Sequence, residues 1–109
     1  MTKQEIAGRL LALPGKIAEA EYALLKAEEG LRWYKLDLQK REDEIMNSGA
    51  IDGKNEAIRS AQLRSFTGQY REEVAGAEKE VLKAQVELRV LRTELEALKA
   101  VVNLLKEAA

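Results

Sequence analysis

The chain has 109 residues, 18 basic and 19 acidic side chains, 46% apolar residues, and neither Cys nor His. These counts fit one domain and exclude a disulfide framework, a zinc site of the usual kind and imidazole or Cys–His catalysis. A formal charge of −1 provides no whole-chain attraction to nucleic acid or acidic membranes. No segment has the ~20 mostly apolar residues of a membrane span, so we expect a cytoplasmic protein.

The first predicted element is a long helix over residues 2–46. Thr2 and Glu5 have the spacing of a capping box at its start. Pro14 predicts a break in this helix, because proline lacks a backbone donor and clashes with the preceding turn. Apolar residues follow at alternating steps of four and three, and such a sustained heptad seam is typical of a coiled coil. The seam residues are Ile6, Leu10, Leu13, Ile17, Ala20, Leu24, Ala27, Leu31, Tyr34, Leu38 and Ile45, with Arg41 as the single polar residue in the series.

A turn is predicted over residues 47–55, which hold two Gly, two Asn, one Ser and one Asp. A second helix is predicted over residues 56–107, with Asp52 or Asn55 as its cap. It repeats the alternation of four and three, so it predicts a second heptad seam. That seam consists of Tyr70, Val74, Ala77, Val81, Ala84, Leu88, Leu91, Leu95, Leu98, Val102 and Leu105.

The two seams match if the chain folds back near Ala50 and Ile51. Leu10 then faces Leu91, and every seam residue from Ile6 to Leu31 meets a seam residue of the second helix. The predicted fold is therefore all-α, an antiparallel two-helix coiled-coil hairpin forming one domain over residues 1–109. The same pattern also fits exchange of helices between two copies, although the length of the turn favours pairing within one chain.

Apolar residues left over from this pairing predict a homodimer that forms a four-helix bundle. In the predicted register Leu98 falls opposite Lys3, and no residue lies opposite Val102 or Leu105. The candidate oligomerisation residues are Leu98, Val101, Val102, Leu104 and Leu105. Other apolar residues outside the seam are Leu11, Leu25, Trp33, Leu36, Leu82, Val86 and Val90. The alternative is that these are isolated surface residues, which are normal in soluble proteins.

The residue pattern predicts no enzyme, no metal site and no cofactor. The densest acidic cluster is Glu42-Asp43-Glu44, but adjacent helical residues point in different directions. Gly53-Lys54 lacks the other glycine and the preceding strand of a phosphate loop. Carboxylate metal bundles need inward-facing Glu and His pairs, and the chain has no His.

Nucleic-acid binding at the turn end is the rival hypothesis. Residues 32–71 carry eight basic and six acidic side chains, whereas both flanking segments are negative. Lys54, Arg59, Arg64 and Arg71 lie near the start of the second helix. The aromatic residues expected nearby are Trp33, Tyr34, Phe66 and Tyr70, which could stack on unpaired bases. The excess of two positive charges is small beside the basic patches of established nucleic-acid binders.

The segment Ile51–Leu63 resembles a segment of small helical, coiled-coil accessory proteins of tailed bacteriophages and prophages. It has a Gly53-Lys54-Asn55-Glu56 turn followed by Arg59 and Ala61-Gln62-Leu63. The resemblance covers about 13 residues, and the rest matches only as generic coiled coil. It implies a non-enzymatic phage protein of the host cytoplasm that works beside replication or recombination proteins or against a host factor. It also implies that Gly53, Lys54, Asn55 and Arg59 form the functional tip.

The leading functional hypothesis is a non-catalytic module that presents a helix face or the turn to a protein partner. The candidate partner-binding residues are Trp33, Lys54, Asn55, Arg59, Arg64 and Arg71. The alternative is a nucleic-acid accessory protein that acts through Arg59, Arg64 and Arg71. A purely structural spacer is the third hypothesis.

Overall fold

The computed structural model describes residues 1–108, and the protein is all-α over this range. Three helices follow one another along the chain: α1 (Lys3–Asn47), α2 (Glu56–Phe66) and α3 (Gly68–Ala108). No β-strand occurs within residues 1–108. The predicted fold class is confirmed at this level.

Helix α1 begins with the predicted capping box. The Glu5 amide donates to Thr2 Oγ1 at 3.1 Å, and the Thr2 amide donates to Glu5 Oε1 at 3.4 Å. The helix then runs to Asn47 without interruption, so the break expected at Pro14 is not found. Pro14 lies on the exposed side of the helix, while its neighbour Leu13 is 0% exposed. Packing of this buried turn against α3 offsets the lost hydrogen bond.

The predicted second helix is divided into α2 and α3 at Thr67. The Thr67 hydroxyl donates to the Leu63 carbonyl at 2.8 Å and accepts from Arg71 Nε at 3.0 Å. Thr67 has φ −114° and ψ 13° and is fully buried. Threonine hydroxyls that bond to nearby carbonyls compete with regular helical geometry, which explains the interruption.

Burial follows the predicted seams residue by residue. Every seam residue of α1 is buried or half-buried, and so is every α3 seam residue except Leu105. The apolar residues placed outside the seams, such as Leu11 at 85% and Leu104 at 65%, are exposed. The heptad periodicity therefore describes the packing of both helices.

The chain divides into two compact units. The first combines Met1–Lys26 with the part of α3 that starts at Leu82. Its core contains Ile6, Leu13 and Leu98, against which Leu10, Leu91, Leu95 and Val102 pack. The start of α1 thus lies beside the end of α3, so the two helices run antiparallel in this unit.

The second unit is Ala27–Val81 and contains the rest of α1, the loop, α2 and the start of α3. Its buried residues are Ile45, Thr67, Val74 and Ala77. No residue of α2 is buried. An ion pair joins the two long helices within this unit, with Arg71 Nη2 at 4.0 Å from Glu42 Oε1.

The helix register differs by one heptad from the predicted one. Ile6 and Leu10 line a cavity together with Val102 and Leu105, two residues that the predicted register leaves without partners. Leu98, expected to lie opposite Lys3, is instead 7% exposed in the core. The observed register places Leu10 level with Leu98 instead of Leu91, a difference of ~10 Å along the helix axis.

Two ion pairs beside the seam are consistent with this register. Glu21 Oε2 lies 3.4 Å from Arg92 Nη2 in the first unit, and Glu42 lies 4.0 Å from Arg71 in the second. Glu42 follows Glu21 by three heptads along α1, and Arg71 precedes Arg92 by three heptads along α3. The same register therefore holds within each unit.

Apolar packing and charge both favour the observed register over the predicted one. The observed register packs Leu98 and Val102 against the first turns of α1, which the predicted register does not. The predicted register would set Glu28 against Glu78 and Lys35 against Arg71 at the flanking positions, which are like-charged pairs. The observed register sets Arg71 against Glu42 and brings Glu78 to the level of Lys35. Charges at the positions flanking a coiled-coil seam select partners and orientation, and here they add to the preference that burial of Leu98 and Val102 gives the observed register.

Candidate interaction surfaces

A two-pronged ion pair joins the helices of the first unit. Arg9 Nη2 donates to Glu94 Oε1 at 2.7 Å, and Arg9 Nε donates to the other carboxylate oxygen. The Arg9 hydrogen bonds hold the pKa of Glu94 below its usual value, partial desolvation opposes this shift, and the charges of Arg9 and Lys16 reinforce it. The same hydrogen bonds raise the pKa of Arg9. Glu94 is therefore a charged structural partner and not a proton donor at neutral pH.

A shallow groove runs beside this ion pair on the first unit. Ala20 and Ala23 of α1 and Val86, Val90 and Leu91 of α3 form its apolar part. Its charged lining residues are Arg9, Lys16, Glu19 and Glu87. The small side chains of the two alanines open the groove, and it holds charges of both signs.

The outer side of α1 carries large apolar side chains in each unit. In the first unit Leu11, Tyr22 and Leu25 are exposed, and Lys26 Nζ lies 5.5 Å from the centre of the Tyr22 ring. In the second unit Trp33 is 62% exposed and Leu36 is also exposed. Exposed apolar side chains of this size on the face away from the seam are available to a partner protein.

A second heptad seam lies on the outer side of α3, opposite the buried one. We call it the outer seam: Lys83, Val86, Val90, Thr93, Ala97, Ala100, Leu104 and Glu107. All eight residues are exposed, and successive members alternate at steps of three and four. Its six central residues are apolar or small, apart from the Thr93 hydroxyl. The sequence-based predictions include Val86 and Val90 only as surplus apolar residues and Leu104 as an oligomerisation residue of the chain end, because the small side chains between them conceal the periodicity.

The predicted oligomerisation residues occupy different environments. Leu98 is buried and Val102 is half-buried against the core of the first unit, because α3 lies one heptad further along α1 than expected. These two residues are therefore not part of a free apolar end. Val101, Leu104 and Leu105 are exposed.

The loop before α2 is folded against that helix by polar contacts. Gln62 Oε1 accepts from the Asp52 amide at 3.2 Å and from the Gly53 amide at 3.0 Å, while its Nε2 donates to Asp52 Oδ1 at 2.8 Å. A Cβ on Gly53 would lie 2.6 Å from Ile58 Cγ2, so the close approach requires glycine. Gln62 was not among the predicted site residues, and its only signal was its place in the segment carrying the phage resemblance.

Two of the predicted tip residues take part in this local folding. Asn55 is the cap of α2, with Oδ1 accepting from the Ile58 amide at 2.9 Å. Arg59 Nη1 donates to the Gly53 carbonyl at 3.2 Å. Asn55 and Arg59 therefore have structural roles that account for them without a ligand.

The remaining predicted partner-binding residues are exposed at separate places in the second unit. Lys54 and Arg64 are exposed, and Arg71 bonds to Thr67 and faces Glu42. The Trp33 ring packs edge-on against Tyr34, with centroids 5.4 Å apart. In residues 1–108, no side-chain hydrogen bond or ion pair joins any of the six predicted residues to another.

The exposed face of α2 forms a further shallow groove. Ala57, Ile58, Ala61 and Phe66 supply its apolar surface, and Ala50 of the loop borders it. Ile58 and Phe66 are both about half exposed. This apolar surface lies directly beside the folded loop.

The chain matches no protein-family model, no curated protein sequence and no solved structure. Within residues 1–108, none of the helices combines the length and the apolar character needed to cross a membrane.

Proposed function

We propose that the chain is a non-catalytic, self-associating coiled-coil protein that binds a protein partner in the cytoplasm. The observation that carries this proposal is the exposure of large apolar side chains on the sides of α1 and α3 that face away from the buried seams. Exposed apolar patches mark protein–protein interaction sites, and these side chains recur along the outer sides of both long helices.

Burial of these side chains would contribute favourable free energy to association. Complete burial of one Leu or Val side chain contributes roughly 1.5–3 kcal/mol. Leu104 and Val90 are 65% and 58% exposed, so each retains more than half of its surface for burial in an interface. A micromolar complex corresponds to ~8 kcal/mol, so several such residues must be buried together, because the entropy cost of association is set against their contribution.

The two outer surfaces suit different tasks. The α3 outer seam has the regular spacing of a helix-pairing surface, which supports a homodimer of four helices. The α1 outer surface contains Tyr22 and Trp33, and aromatic residues of this kind commonly dominate binding energy at interfaces with other proteins. We therefore assign partner binding to α1, with Trp33 as its main candidate residue.

A phage accessory role belongs to the same proposal. Its support is the resemblance of the segment Ile51–Leu63, in which Gly53, Asn55 and Arg59 shape the loop. The fourth tip residue, Lys54, is exposed, and within residues 1–108 its side chain makes no hydrogen bond or ion pair that shapes the loop. A phage or host protein that recognises this loop would be expected to contact Lys54.

Self-association is tested by light scattering coupled to size exclusion over a range of protein concentrations. We expect the mass of a dimer at micromolar concentration and above. A monomer mass at every concentration would contradict the proposal.

Partner binding is tested by affinity capture from host lysate with the wild-type chain and with Trp33→Ser as baits. We expect a co-purifying protein that the variant fails to retain, while the matched exposed variant Lys40→Ser retains it. If each bait recovers only the chain itself, the role in partner binding is wrong and a structural spacer becomes the better interpretation.

A further inference from the structure

We infer that a second copy of this chain packs antiparallel along the α3 outer seam, with the two α3 helices in direct contact. This inference rests on the self-association proposed above and specifies its surface. All of the residues involved belong to the first unit, and all are exposed.

The outer seam is complementary to itself in one antiparallel register. A two-fold axis at the level of Leu95 sets Val86 against Leu104 of the second copy, and Val90 against Ala100 of the second copy. Thr93 then meets Ala97 of the second copy beside the axis. Near the axis Val90 and Thr93 each face an alanine of the second copy, so the helices can approach closely at the centre. The symmetry repeats each contact, as an isologous dimer interface requires.

Charged residues at the ends of the outer seam are complementary in the same register. Lys83 falls opposite Glu107 of the second copy, and the two-fold axis repeats this pair at the other end. Lys83 and Glu107 thus close the apolar stretch at both ends with opposite charges. This match supports a second copy of the chain as the occupant of the seam.

Flanking charges provide an independent match. Arg89 falls beside Glu96 of the second copy, again twice per dimer. Arg89 and Glu96 have the same spacing from Val90 and Ala100 as Arg9 and Glu94 have from Leu10 and Leu98 in the observed helix pair. Within the chain Glu96 has one ion pair, with Lys99 at 3.3 Å, and both side chains of that pair are more than half exposed. Glu96 is therefore accessible to Arg89 of a second copy.

The neighbouring registers lack this complementarity. Sliding the second copy by one heptad in one direction brings Arg89 against Arg89 of the second copy. Sliding it in the other direction brings Glu96 against Glu96 of the second copy. Like charges at such positions disfavour pairing. The register with the axis at Leu95 is thus selected by the apolar residues and by the charges.

The position of the outer seam also determines the arrangement of the four helices. It lies away from the buried seam of α3, and at one end Val86 and Val90 also border the groove lined by Ala20 and Ala23 of α1. The two α3 helices therefore form the centre of the dimer, and at Val86 and Val90 the second copy lies beside the groove that α1 borders.

Disulfide trapping tests this register, and the natural absence of Cys makes single-cysteine variants unambiguous. We expect Val86→Cys and Leu104→Cys to form a mixed disulfide when the two variants are combined and oxidised. Each variant alone should remain uncrosslinked, because identical residues lie ~27 Å apart across the axis, whereas a disulfide needs Cβ atoms ~4 Å apart. A dimer by light scattering without the mixed disulfide, or a disulfide in Val86→Cys alone, would overturn the inference and leave self-association intact. A monomer by light scattering would refute self-association itself.

Charge exchange provides the second test, with the dimer Kd as its readout. Arg89→Glu should raise Kd about tenfold, because two ion pairs are replaced by repulsion. Adding Glu96→Arg to the same chain should restore Kd to within about threefold of the wild type. The control Arg32→Glu makes the same change of charge at an exposed residue of α1, and it should leave Kd unchanged. A double variant as weak as Arg89→Glu would contradict the inference.

Discussion

The Glu94 carboxylate accepts two hydrogen bonds from the Arg9 guanidinium, which lies 85 residues earlier in the chain. The pair connects the first three turns of α1 to the last part of α3, beside the core formed by Ile6, Leu13 and Leu98. Bidentate pairs of this kind impose a defined geometry as well as attraction. Arg9 and Glu94 thus hold the two helices in one register.

Acid should weaken this pair and with it the first unit. The folded pKa of Glu94 lies below its ordinary value of 4.5, so its contribution to stability is complete above pH 4.5 and is lost as pH falls through the folded pKa. We expect Glu94→Gln to have a lower Tm at pH 7 and a shallower fall of Tm on acidification than the wild type. Thermal unfolding followed by circular dichroism at several pH values measures both. The control Glu29→Gln, an exposed residue, should retain the wild-type profile, and an unchanged slope in Glu94→Gln would argue against the assigned role.

The core of the first unit should depend on Leu13. Leu13→Ala removes a fully buried side chain, so we expect the free energy of unfolding to fall by about 2–5 kcal/mol. Leu11→Ala truncates a side chain that is 85% exposed, and its effect should stay within about 0.5 kcal/mol. Urea denaturation of the two variants makes the comparison, and equal losses would be inconsistent with the observed seam.

Pro14 should reduce the stability of α1 although it does not end the helix. Pro14→Ala restores a backbone donor at a helical position whose own side chain is exposed, so we expect a gain of up to about 3 kcal/mol in the free energy of unfolding. Gly15→Ala is the matched comparison. Its new Cβ meets no atom within 4 Å, and its gain should be about 1 kcal/mol. A loss of stability in Pro14→Ala would show that the proline has another structural role.

Gln62 should control the order of the loop before α2. Gln62→Ala removes the two acceptor contacts to the Asp52 and Gly53 amides, so both amides should exchange faster with deuterium. The expected loss in the free energy of unfolding is about 1 kcal/mol. Hydrogen–deuterium exchange on the variant and on the exposed control Ser60→Ala separates a local effect from general destabilisation. Unchanged exchange at Asp52 and Gly53 would show that the loop is held by other contacts.

Nucleic acid should not be retained at physiological salt. Arg59 bonds to the Gly53 carbonyl and Arg71 bonds to Thr67, so two of the three arginines assigned to that hypothesis already have partners within the chain. Fluorescence anisotropy with a labelled single-stranded and a labelled duplex oligonucleotide provides the measurement. Binding that weakens steeply with salt and is reduced by Arg64→Ala would instead support the nucleic-acid hypothesis.

The seams were predictable from the sequence, because a heptad repeat of buried residues needs only the order of apolar side chains. The register was harder to predict than the seams, since a shift of one heptad sets seam residue against seam residue again along most of their length. Its signals were the end of the α3 seam, where the predicted register leaves Leu98 and Val102 without apolar partners, and the like-charged pair Glu28 and Glu78.

The functional surfaces were predicted less completely than the fold. Asn55 and Arg59 were predicted to bind a partner, and in the structure both of them have a role in folding the loop. The α3 outer seam was missed because Thr93, Ala97 and Ala100 are not large apolar residues. A search for four-and-three spacing that accepts small residues would have identified it.

The charges flanking the seams make the helix register sensitive to high salt concentration. Near 1 M salt the Debye length falls to about 3 Å, so the contribution of charge to the choice of register fades while the contribution of apolar packing persists. Ionic strength therefore changes the free-energy preference for the observed register of the two long helices, to which the ion pairs Glu21–Arg92 and Glu42–Arg71 contribute.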